Sequence, residues 1–377
     1  MKMKFLPACA AIALFLAPFS SFAADEAAGT AASRAAFFTL IEKNFPAWDA
    51  DHDGVLSKAE IDLLVADARI TGPDAAAAAA LKRAVRSTRY KLPPLTRDAI
   101  RRITNDPQKD EPDFGGMFRY GSDKIARNNR ALFASGMPRL ETIHQGKLGN
   151  CFSLAPLGAM AAGRAEAVKA MFRPLPDGLC EVMLGQQKVT IQPPTDAEVA
   201  MTSSNESDGL WVNMYEKAAG QARNDLKPQE ERSDSAIDAL ARGGSAGTML
   251  AFITGHEIVR FSCKFAKDEK TTPAEFEQKL KELREMLTTA QAEKRLMTCG
   301  TLKTTTPGLT PNHAYAVLGY DVATDKIRLW NPHGSSHTPK GEPGSQHGYA
   351  QSHGILEVPL PEYVKQFSGL AFEILPK

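Results

Sequence analysis

The stretch QGKLGNCFSLAPLGAMAA, Gln145 to Ala162, places one thiol, that of Cys151, between Gly149-Asn150 and a small apolar run that we predict to be helical. A thiol in this position has three interpretations: buried packing, half of a disulfide, or a nucleophile. At the start of a helix, free backbone N–H groups and the helix dipole favour a thiolate, so we expect the pKa of Cys151 to be lowered. The residues far from this stretch decide among the three.

Composition is typical of a globular protein with an ordinary core. The 377 residues allow two or three domains, and 43% are hydrophobic and 24% charged. The net charge is +1, from 45 basic and 44 acidic residues. Such a balance gives no large field that would recruit nucleic acid or an anionic membrane, so we predict no nucleic-acid partner.

The first residues, MKMKFLPACAAIALFLAPFSSFA, follow the basic, apolar, small-x-small order of a secretory signal peptide. We predict cleavage near Ala23 and a secreted or periplasmic protein. A membrane anchor is the weaker alternative, because the apolar run is barely long enough to span a bilayer and contains Pro7 and Pro18. No later stretch is long and apolar enough, so we expect no integral span after signal removal.

Cysteine usage leaves little room for a disulfide framework. Of the five cysteines, Cys9 falls in the predicted signal, and the others are widely spaced in a compartment where disulfides can form. Cys180 and Cys299 lie in strand-like runs and Cys263 in RFSCKF, so each is most simply a small core residue. If Cys151 stays reduced for chemistry, at most one internal disulfide is compatible with the rest.

The stretch DADHDGVLSKAE, residues 49–60, has the pattern of a calcium-binding loop. The predicted oxygen ligands stand at loop positions one, three, five, seven, nine and twelve: Asp49, Asp51, Asp53, Val55 through its carbonyl, Ser57 and Glu60. Gly54 at position six permits the sharp bend. Calcium is a hard cation that takes roughly six to eight oxygen ligands, so a solvated acidic loop is the less favoured interpretation. The stretch resembles the EF-hand family, which implies Ca2+ as a cofactor.

EF-hands normally pair, and a second, degenerate hand is expected nearby. VLSKAEI is echoed by PLTRDAI, which puts the second loop at residues 88–99. Tyr90, Leu92 and Ala99 stand where oxygen ligands should be, and Pro93 replaces the bend glycine. We therefore expect a structural mate that binds no calcium and covers the apolar face of the first hand. Residues at one-turn spacing form that face: Phe37, Ile41, Phe45 and Trp48.

A cysteine protease needs a thiolate, an imidazole, a group that orients the imidazole, and donors for the developing oxyanion. In PNHAYAVLGYD, His313 precedes an alternating, strand-like run. KIRLWNPHG follows a turn, and antiparallel pairing of the two runs returns Asn331 to within about three residues of the register of His313. Gln145 can direct its side-chain N–H to the same point as the backbone N–H of Cys151. Each residue alone is more often packing, a turn or a surface group, but the order Gln, Cys, His, Asn is what a papain-like protease requires.

Several blocks of the sequence resemble the calpain family. QGKLGNCFSLAPLGAMA is similar to its nucleophile block, PNHAYAVLGYD to its histidine block and IRLWNPHG to its asparagine block. LWVNMYEKAAGQA, with ARGG and FITG, resembles the helix and Gly-Gly segment of the calpain core, so the similarity runs from about Met117 to the C terminus. The resemblance implies that Cys151 is the nucleophile, His313 the general acid and base, Asn331 the orienting residue and Gln145 an oxyanion donor. It also implies a protein or peptide substrate.

Three positions depart from the family pattern. Phe152 stands where the family usually has Trp, Asn150 where Asp is usual, and His333 where a Trp follows Asn-Pro. A bulky indole there would shield the His–Asn bond from water, so we expect a wetter site with a weaker ion pair in this chain.

These patterns predict an α+β fold with a papain-like core of two subdomains behind an all-α EF-hand pair. The predicted divisions are a signal peptide at 1–23, the EF-hand pair at 24–105, a helical half with the nucleophile at 106–254, and a strand-rich half with His and Asn at 255–377. The predicted function is a secreted, calcium-dependent, calpain-like cysteine endopeptidase. Two alternatives stay open: a non-catalytic, calcium-binding papain-fold module, and a transglutaminase-like acyl transferase, which Asn331 in place of Asp makes less favoured.

Overall fold

The structure, a computed structural model, describes residues 20–204, 208–233 and 235–376, with side chains from residue 30 onward. The predicted signal peptide, 1–23, therefore lies almost wholly outside the described residues. Among the helices in those ranges, none combines the length and apolar character that a membrane crossing needs.

The N-terminal part is built from paired helices: α1 (Ser20–Trp48), α2 (Lys58–Ala66), α3 (Gly72–Arg86) and α4 (Arg97–Asn105). The predicted apolar face of α1 is buried against the other three, as its one-turn spacing indicates. A capping box between Ser57 and Glu60 begins α2, and Thr96 caps α4. The loops before α2 and α4 meet through a hydrogen bond from the Leu56 N–H to the Leu95 carbonyl, 3.1 Å. Both residues are the eighth of their predicted twelve-residue loops.

Helix α5 (Phe114–Arg127) joins this unit to the rest of the chain. It packs against α1 and α3 on one side and against α8 (Asp196–Met201) on the other. Phe114 stacks on Phe37 with ring centroids 5.1 Å apart. The fully buried Lys82 of α3 adds a polar connection, because it binds Asp62 on α2 and Asp238 in the following region.

A helical layer follows: α6 (Cys151–Gly163), α7 (Ala165–Ala170), α9 (Trp211–Asp225), α10 (Ala236–Leu240) and α11 (Ala246–Thr254). The region predicted as helical also holds a small antiparallel sheet: β1 (Phe172–Pro174), β2 (Cys180–Leu184) and β3 (Gln187–Ile191). Helix α6 is apolar on all sides and is almost entirely buried, which makes it the central helix of this layer.

The rest of the described chain forms a seven-stranded antiparallel sheet in the order β4-β10-β5-β6-β7-β9-β8. Its strands are β4 (Ile258–Ser262), β5 (Met297–Thr301), β6 (Ala314–Asp321), β7 (Lys326–Trp330), β8 (Gln351–Ser352), β9 (Ile355–Pro359) and β10 (Phe367–Glu373). The remaining helices are α12 (Pro273–Ala292) and α13 (Leu360–Gln366).

The sheet is covered on both faces, and β6 shows this by the alternation of its side chains. Ala314 and Ala316 belong to the core cluster of α6, whereas Tyr315 and Val317 belong to that of α12. The backbone of α6 approaches the sheet so closely that a Cβ on Gly158 would lie 2.3 Å from the ring of the β7 tryptophan.

The described cysteines are all unpaired thiols. Cys180, Cys263 and Cys299 are buried, and Cys180 and Cys299 lie on strands, as the sequence predicts. Cys151 is only half-buried.

Candidate active site and calcium loop

Cys151 is the first residue of α6, and a left-handed turn at Gly149 (φ 71°) leads into it. The side chain of the N-cap residue, Asn150, does not cap the helix; its amide instead donates to Glu216 Oε1 at 2.6 Å. The first N–H groups of α6 therefore stay available beside the thiol.

Cys151 and His313 line the same cavity, whose volume is about 460 Å³. Phe152 and the segment at residues 244–247 form one wall, and residues of β4, β5 and β10 form the other. The sulfur faces the backbone N–H of Ala314, the residue next to His313. Residues separated by more than 160 positions thus meet across one groove.

The imidazole of His313 is held by Asn331, at an Nε2 to Oδ1 distance of 2.9 Å. The pairing of β6 with β7 places Ala316 opposite Trp330, so Asn331 leaves its strand beside His313, as the predicted register requires. The amide orientation of Asn331 is fixed independently, because its Oδ1 also accepts the backbone N–H of His333 at 3.0 Å. Asn331 is fully buried.

These bonds determine the tautomer of His313. Because the amide oxygen of Asn331 only accepts hydrogen bonds, Nε2 carries the proton. In the neutral ring Nδ1 then holds a lone pair. The ring is therefore prepared to accept a proton at Nδ1 rather than at Nε2.

The electrostatics of the pair differ from the expectation of a stabilised thiolate. Burial raises the pKa of Cys151, and the N–H groups of Ala314, Phe152 and Cys151 itself oppose this shift without reversing it. Burial, and next the neighbouring His333, lowers the pKa of His313 to about 3, and the hydrogen bond that Nε2–H donates to Asn331 opposes this shift. The expected lowering of the Cys151 pKa is thus wrong for this geometry, because desolvation outweighs the helix terminus. Both shifts favour the neutral thiol and the neutral imidazole.

The expectation of a wetter site than in relatives with an indole stays a prediction, although the His–Asn pair itself is well buried. The ring of His333 lies over that of His313 with centroids 4.3 Å apart, in the place where the family pattern has an indole. His313 is only 6% exposed. His333 as a whole is exposed, but its ring is partly desolvated where it packs on His313. This desolvation is the main cause of its lowered pKa, and the charge of Lys147 is the second cause. The imidazole of His333 therefore covers part of the ring of His313.

Gln145 is anchored to the loop that follows Asn331. Its backbone N–H donates to the Pro332 carbonyl at 2.8 Å, and its Oε1 is buried without a hydrogen-bond partner among the described residues. Gln145 does not belong to the described residues that line the cavity. The structure thus brings the backbone of Gln145 next to the loop that follows Asn331.

A buried carboxylate behind the nucleophile was not predicted. Glu216 of α9 accepts from Asn150, from the Ser203 N–H at 2.8 Å and from the Ser203 hydroxyl at 2.6 Å. Burial raises its pKa, while these donors and Lys124 oppose the shift. The signal in the sequence was a single acidic residue within the mostly apolar run WVNMYEKAA. Such a residue is either exposed or bound to a partner, and spacing alone does not distinguish the two.

The predicted calcium loop brings three of its ligands together. One carboxylate oxygen from each of Asp49, Asp51 and Asp53 lies within 4.8 Å of the others. Asp49 Oδ1 is buried without a hydrogen-bond partner, and Gly54 has the left-handed φ of 82° that the bend needs. The buried oxygen is the kind of group that a cation would satisfy.

The other predicted ligands are engaged within the loop. Glu60 accepts from the Ala50 N–H at 2.6 Å and from the N–H and hydroxyl of Ser57 at 2.8 and 2.9 Å. The Val55 N–H donates to Asp53 at 2.8 Å.

The comparisons agree with the protease part of these observations. The model of the family "Calpain family cysteine protease" matches residues 119–344, more than half of the 377 residues. The match begins within α5 and includes Cys151, His313 and Asn331. A search of curated proteins found no match. The chain belongs to the calpain family of cysteine proteases.

Proposed function

We propose that the protein is an endopeptidase in which Cys151 attacks the peptide carbonyl and His313 moves the proton. The observation that supports this most directly is that Cys151 and His313 line one groove, with Nε2 of His313 hydrogen-bonded to Asn331. Because both groups are neutral at rest, thiol deprotonation by His313 Nδ1 accompanies attack rather than preceding it.

In the first step, sulfur bonds to the carbonyl carbon and the thiol proton passes to Nδ1 of His313. The Asn331 oxygen stabilises the resulting imidazolium through Nε2–H. The N–H groups at the start of α6, together with the Gln145 amide, donate to the oxyanion. His313 then protonates the leaving amine as the C–N bond breaks, which leaves a thioester on Cys151. The same ring next takes a proton from a water that attacks the thioester carbon, and the C–S bond breaks as this proton returns to the Cys151 sulfur.

The test is hydrolysis of casein and of quenched fluorescent peptides by the purified protein and its variants. We expect Cys151→Ala to abolish turnover, and Asn331→Ala to lower kcat by about 100-fold, within the range of general acid–base contributions. Cys180→Ala, which removes a buried thiol outside the cleft, is the control and should retain the wild-type rate. Incorporation of an amine without hydrolysis would instead indicate the acyl transferase, and binding without either reaction the non-catalytic module.

We propose that residues 49–60 bind Ca2+ through Asp49, Asp51, Asp53, the Val55 carbonyl, Ser57 and Glu60. The clustered carboxylates and the unsatisfied oxygen of Asp49 support this assignment. Binding would hold α1 and α2 in one arrangement, and millimolar calcium would fill even a weak site, which favours a structural role. Calcium dependence of proteolysis would then follow from stability.

Thermal unfolding with calcium or with a chelator tests this site. At a calcium concentration of 100 times Kd, binding adds about 2.7 kcal/mol to the unfolding free energy, so we expect Tm to rise by several degrees. Asp51→Asn combined with Asp53→Asn should remove the rise, whereas Asp123→Asn, which changes an exposed carboxylate on α5, should not. A calcium effect of equal size in the loop variant would contradict the assignment.

We also propose secretion, on the signal-like order of residues 1–23. N-terminal sequencing of the protein recovered from cell-free culture medium or periplasm should find a new N terminus near Ala23. Recovery only in the cytoplasm with Met1 retained would refute it.

A further inference from the structure

One wall of the cleft carries a cation without a carboxylate partner. Arg260 of β4 lines the cavity beside the first turn of α11. Its Nη2 donates to Thr248 Oγ1 at 3.0 Å, and its Nη1 donates to Ser245 Oγ at 3.4 Å. Hydroxyl groups thus position the guanidinium but leave its charge unneutralised. Among the described residues, no carboxylate lies within ion-pair distance of Arg260.

The fold makes room for this side chain. A Cβ on Gly247 would lie 2.6 Å from Arg260 Nη1 and 2.6 Å from the Cβ of Ala371 on β10. A glycine in the first turn of α11 is therefore what admits the guanidinium between the helix and the strand. The first turn of a helix also directs unpaired N–H groups and the positive end of the dipole outward.

Among the described residues that line the cleft, one carries a fixed charge, and that residue is Arg260. The described residues that line it include neither Asp nor Glu. A second cation, Arg223, lies behind the same segment: its guanidinium is 4.6 Å from the centre of the Phe152 ring and donates to the Gly243 carbonyl at 3.3 Å. A groove lined by one arginine and no carboxylate attracts negative charge, although the whole chain is close to neutral.

We propose that Arg260 binds an acidic side chain of the substrate, so that the enzyme prefers peptides with Glu or Asp near the scissile bond. This specificity rests on the proposed peptidase function. A guanidinium matches a carboxylate through two parallel N–H···O bonds, and the hydroxyls of Ser245 and Thr248 hold its plane in advance. Cys151 and His313 would cleave the peptide bond, and Arg260 would determine which peptides bind well.

The experiment compares kcat/KM for peptide sets that differ only in having Glu, Gln, Leu or Lys at each position around the cleaved bond. At one position we expect the wild type to prefer Glu over Gln by about tenfold, the effect of one hydrogen bond to a charged group in a partly exposed site. Arg260→Gln should remove this preference, and Arg260→Glu should reverse it in favour of Lys. The preference should shrink at high salt.

Arg328→Gln is the matched control, because Arg328 is an exposed arginine on β7 outside the cleft. It should leave the Glu preference unchanged. A wild type that cleaves peptides without any Glu preference, or an Arg260→Gln enzyme that keeps the preference, would overturn the proposal while leaving the peptidase function intact.

A binding measurement separates the two proposals if no peptide is cleaved. Fluorescence anisotropy of labelled Glu and Gln peptides on the Cys151→Ala protein should show tighter binding of the Glu peptide, lost in the Arg260→Gln background. Equal affinities there would refute the acidic subsite independently of catalysis.

Discussion

At the scale of single residues, His333 shows how one substitution changes both the cover and the charge of a catalytic group. Its ring lies 4.3 Å from that of His313 and contributes, after burial, to the low pKa of His313. A tryptophan in that place would cover the ring without placing a titratable group beside it.

We predict that replacing His333 raises the pKa of His313. The neutral imidazole is the proposed base, so activity is lost as pH falls through the His313 pKa, now about 3. His333→Ala admits water and removes the neighbouring charge, and should move the acid limb of kcat/KM toward the ordinary imidazole value of about 6.5. His333→Trp keeps a ring over His313, so we expect the acid limb of kcat/KM to shift less than in His333→Ala. Identical acid limbs in the three proteins would contradict this account; an NMR titration of His313 checks the assignment.

A second departure from the family pattern, Asn150 in place of Asp, is explained by its buried neighbour Glu216. Its amide donates to the buried Glu216 at 2.6 Å, and an aspartate there would place two carboxylates in contact. Asn is therefore the residue that Glu216 requires at this position.

We predict that Asn150→Asp destabilises the protein by about 3 kcal/mol, the usual cost of an uncompensated buried charge, and lowers activity. Adding Glu216→Gln should recover most of the loss, because an amide can donate to the new carboxylate. Asn44→Asp is the control, since Asn44 makes a similar 2.8 Å bond to Asp74 in a partly exposed place. Urea unfolding measures all four proteins, and a loss in Asn150→Asp no larger than in Asn44→Asp would contradict the prediction.

At the scale of elements, the position of α6 on the sheet determines where the thiol lies. The close approach depends on Gly158, whose added Cβ would meet Trp330 ring carbons at 2.3 and 2.6 Å. Helix α6 begins at Cys151, so a shift of the helix moves the nucleophile relative to His313.

We predict that Gly158→Ala lowers the unfolding free energy by about 1–3 kcal/mol through overpacking and lowers kcat more than KM changes. Gly163→Ala is the control on the same helix, because its Cβ would meet nothing nearer than 3.7 Å. Calorimetry and peptide kinetics compare Gly158→Ala with Gly163→Ala. Equal stability and equal kcat in the two variants would contradict the prediction, because the sheet would then accommodate the added methyl group.

At the scale of the whole molecule, a buried ion pair ties the end of α6 to β10, the strand next to the edge strand β4. Glu373 of β10 is fully buried and accepts from both Nη atoms of Arg164 at 2.8 and 2.6 Å. The Leu296 N–H and the His256 ring complete its bonds at 2.9 and 2.7 Å. Although burial alone would raise the Glu373 pKa, these partners lower it below its ordinary 4.5.

We predict that Glu373→Gln costs about 3 kcal/mol, because Arg164 is left without its carboxylate in a largely buried place. The sign with pH follows from the lowered pKa: the stabilisation is complete well above pH 4.5 and is lost as pH falls below it. The Tm difference between wild type and variant should thus be constant from pH 6 to 8 and shrink in acid. Glu42→Gln, in the exposed pair with Arg101, is the control, with an expected cost below about 1 kcal/mol. A difference that grows in acid would refute this role.

The sequence by itself determined the local structure and the identity of the reacting groups. The capping boxes at Ser57 and Thr272, the buried face of α1 and the strand after His313 follow from contacts within a few residues, which spacing encodes directly. The aspartates at 49–53 are brought together by one short loop for the same reason. Strand register also brought Asn331 to His313, because one turn joins the two strands.

Only the tertiary structure decided the surroundings of those groups. The raised pKa of Cys151, the ring of His333 over His313, the carboxylate of Glu216 and the cation of Arg260 all depend on segments that are distant in the chain. Desolvation and charge act through space and scale with what packs around a group, and periodicity carries no information about which segment that is. The reacting groups could therefore be predicted from the sequence, whereas their burial and pKa shifts depend on the tertiary structure.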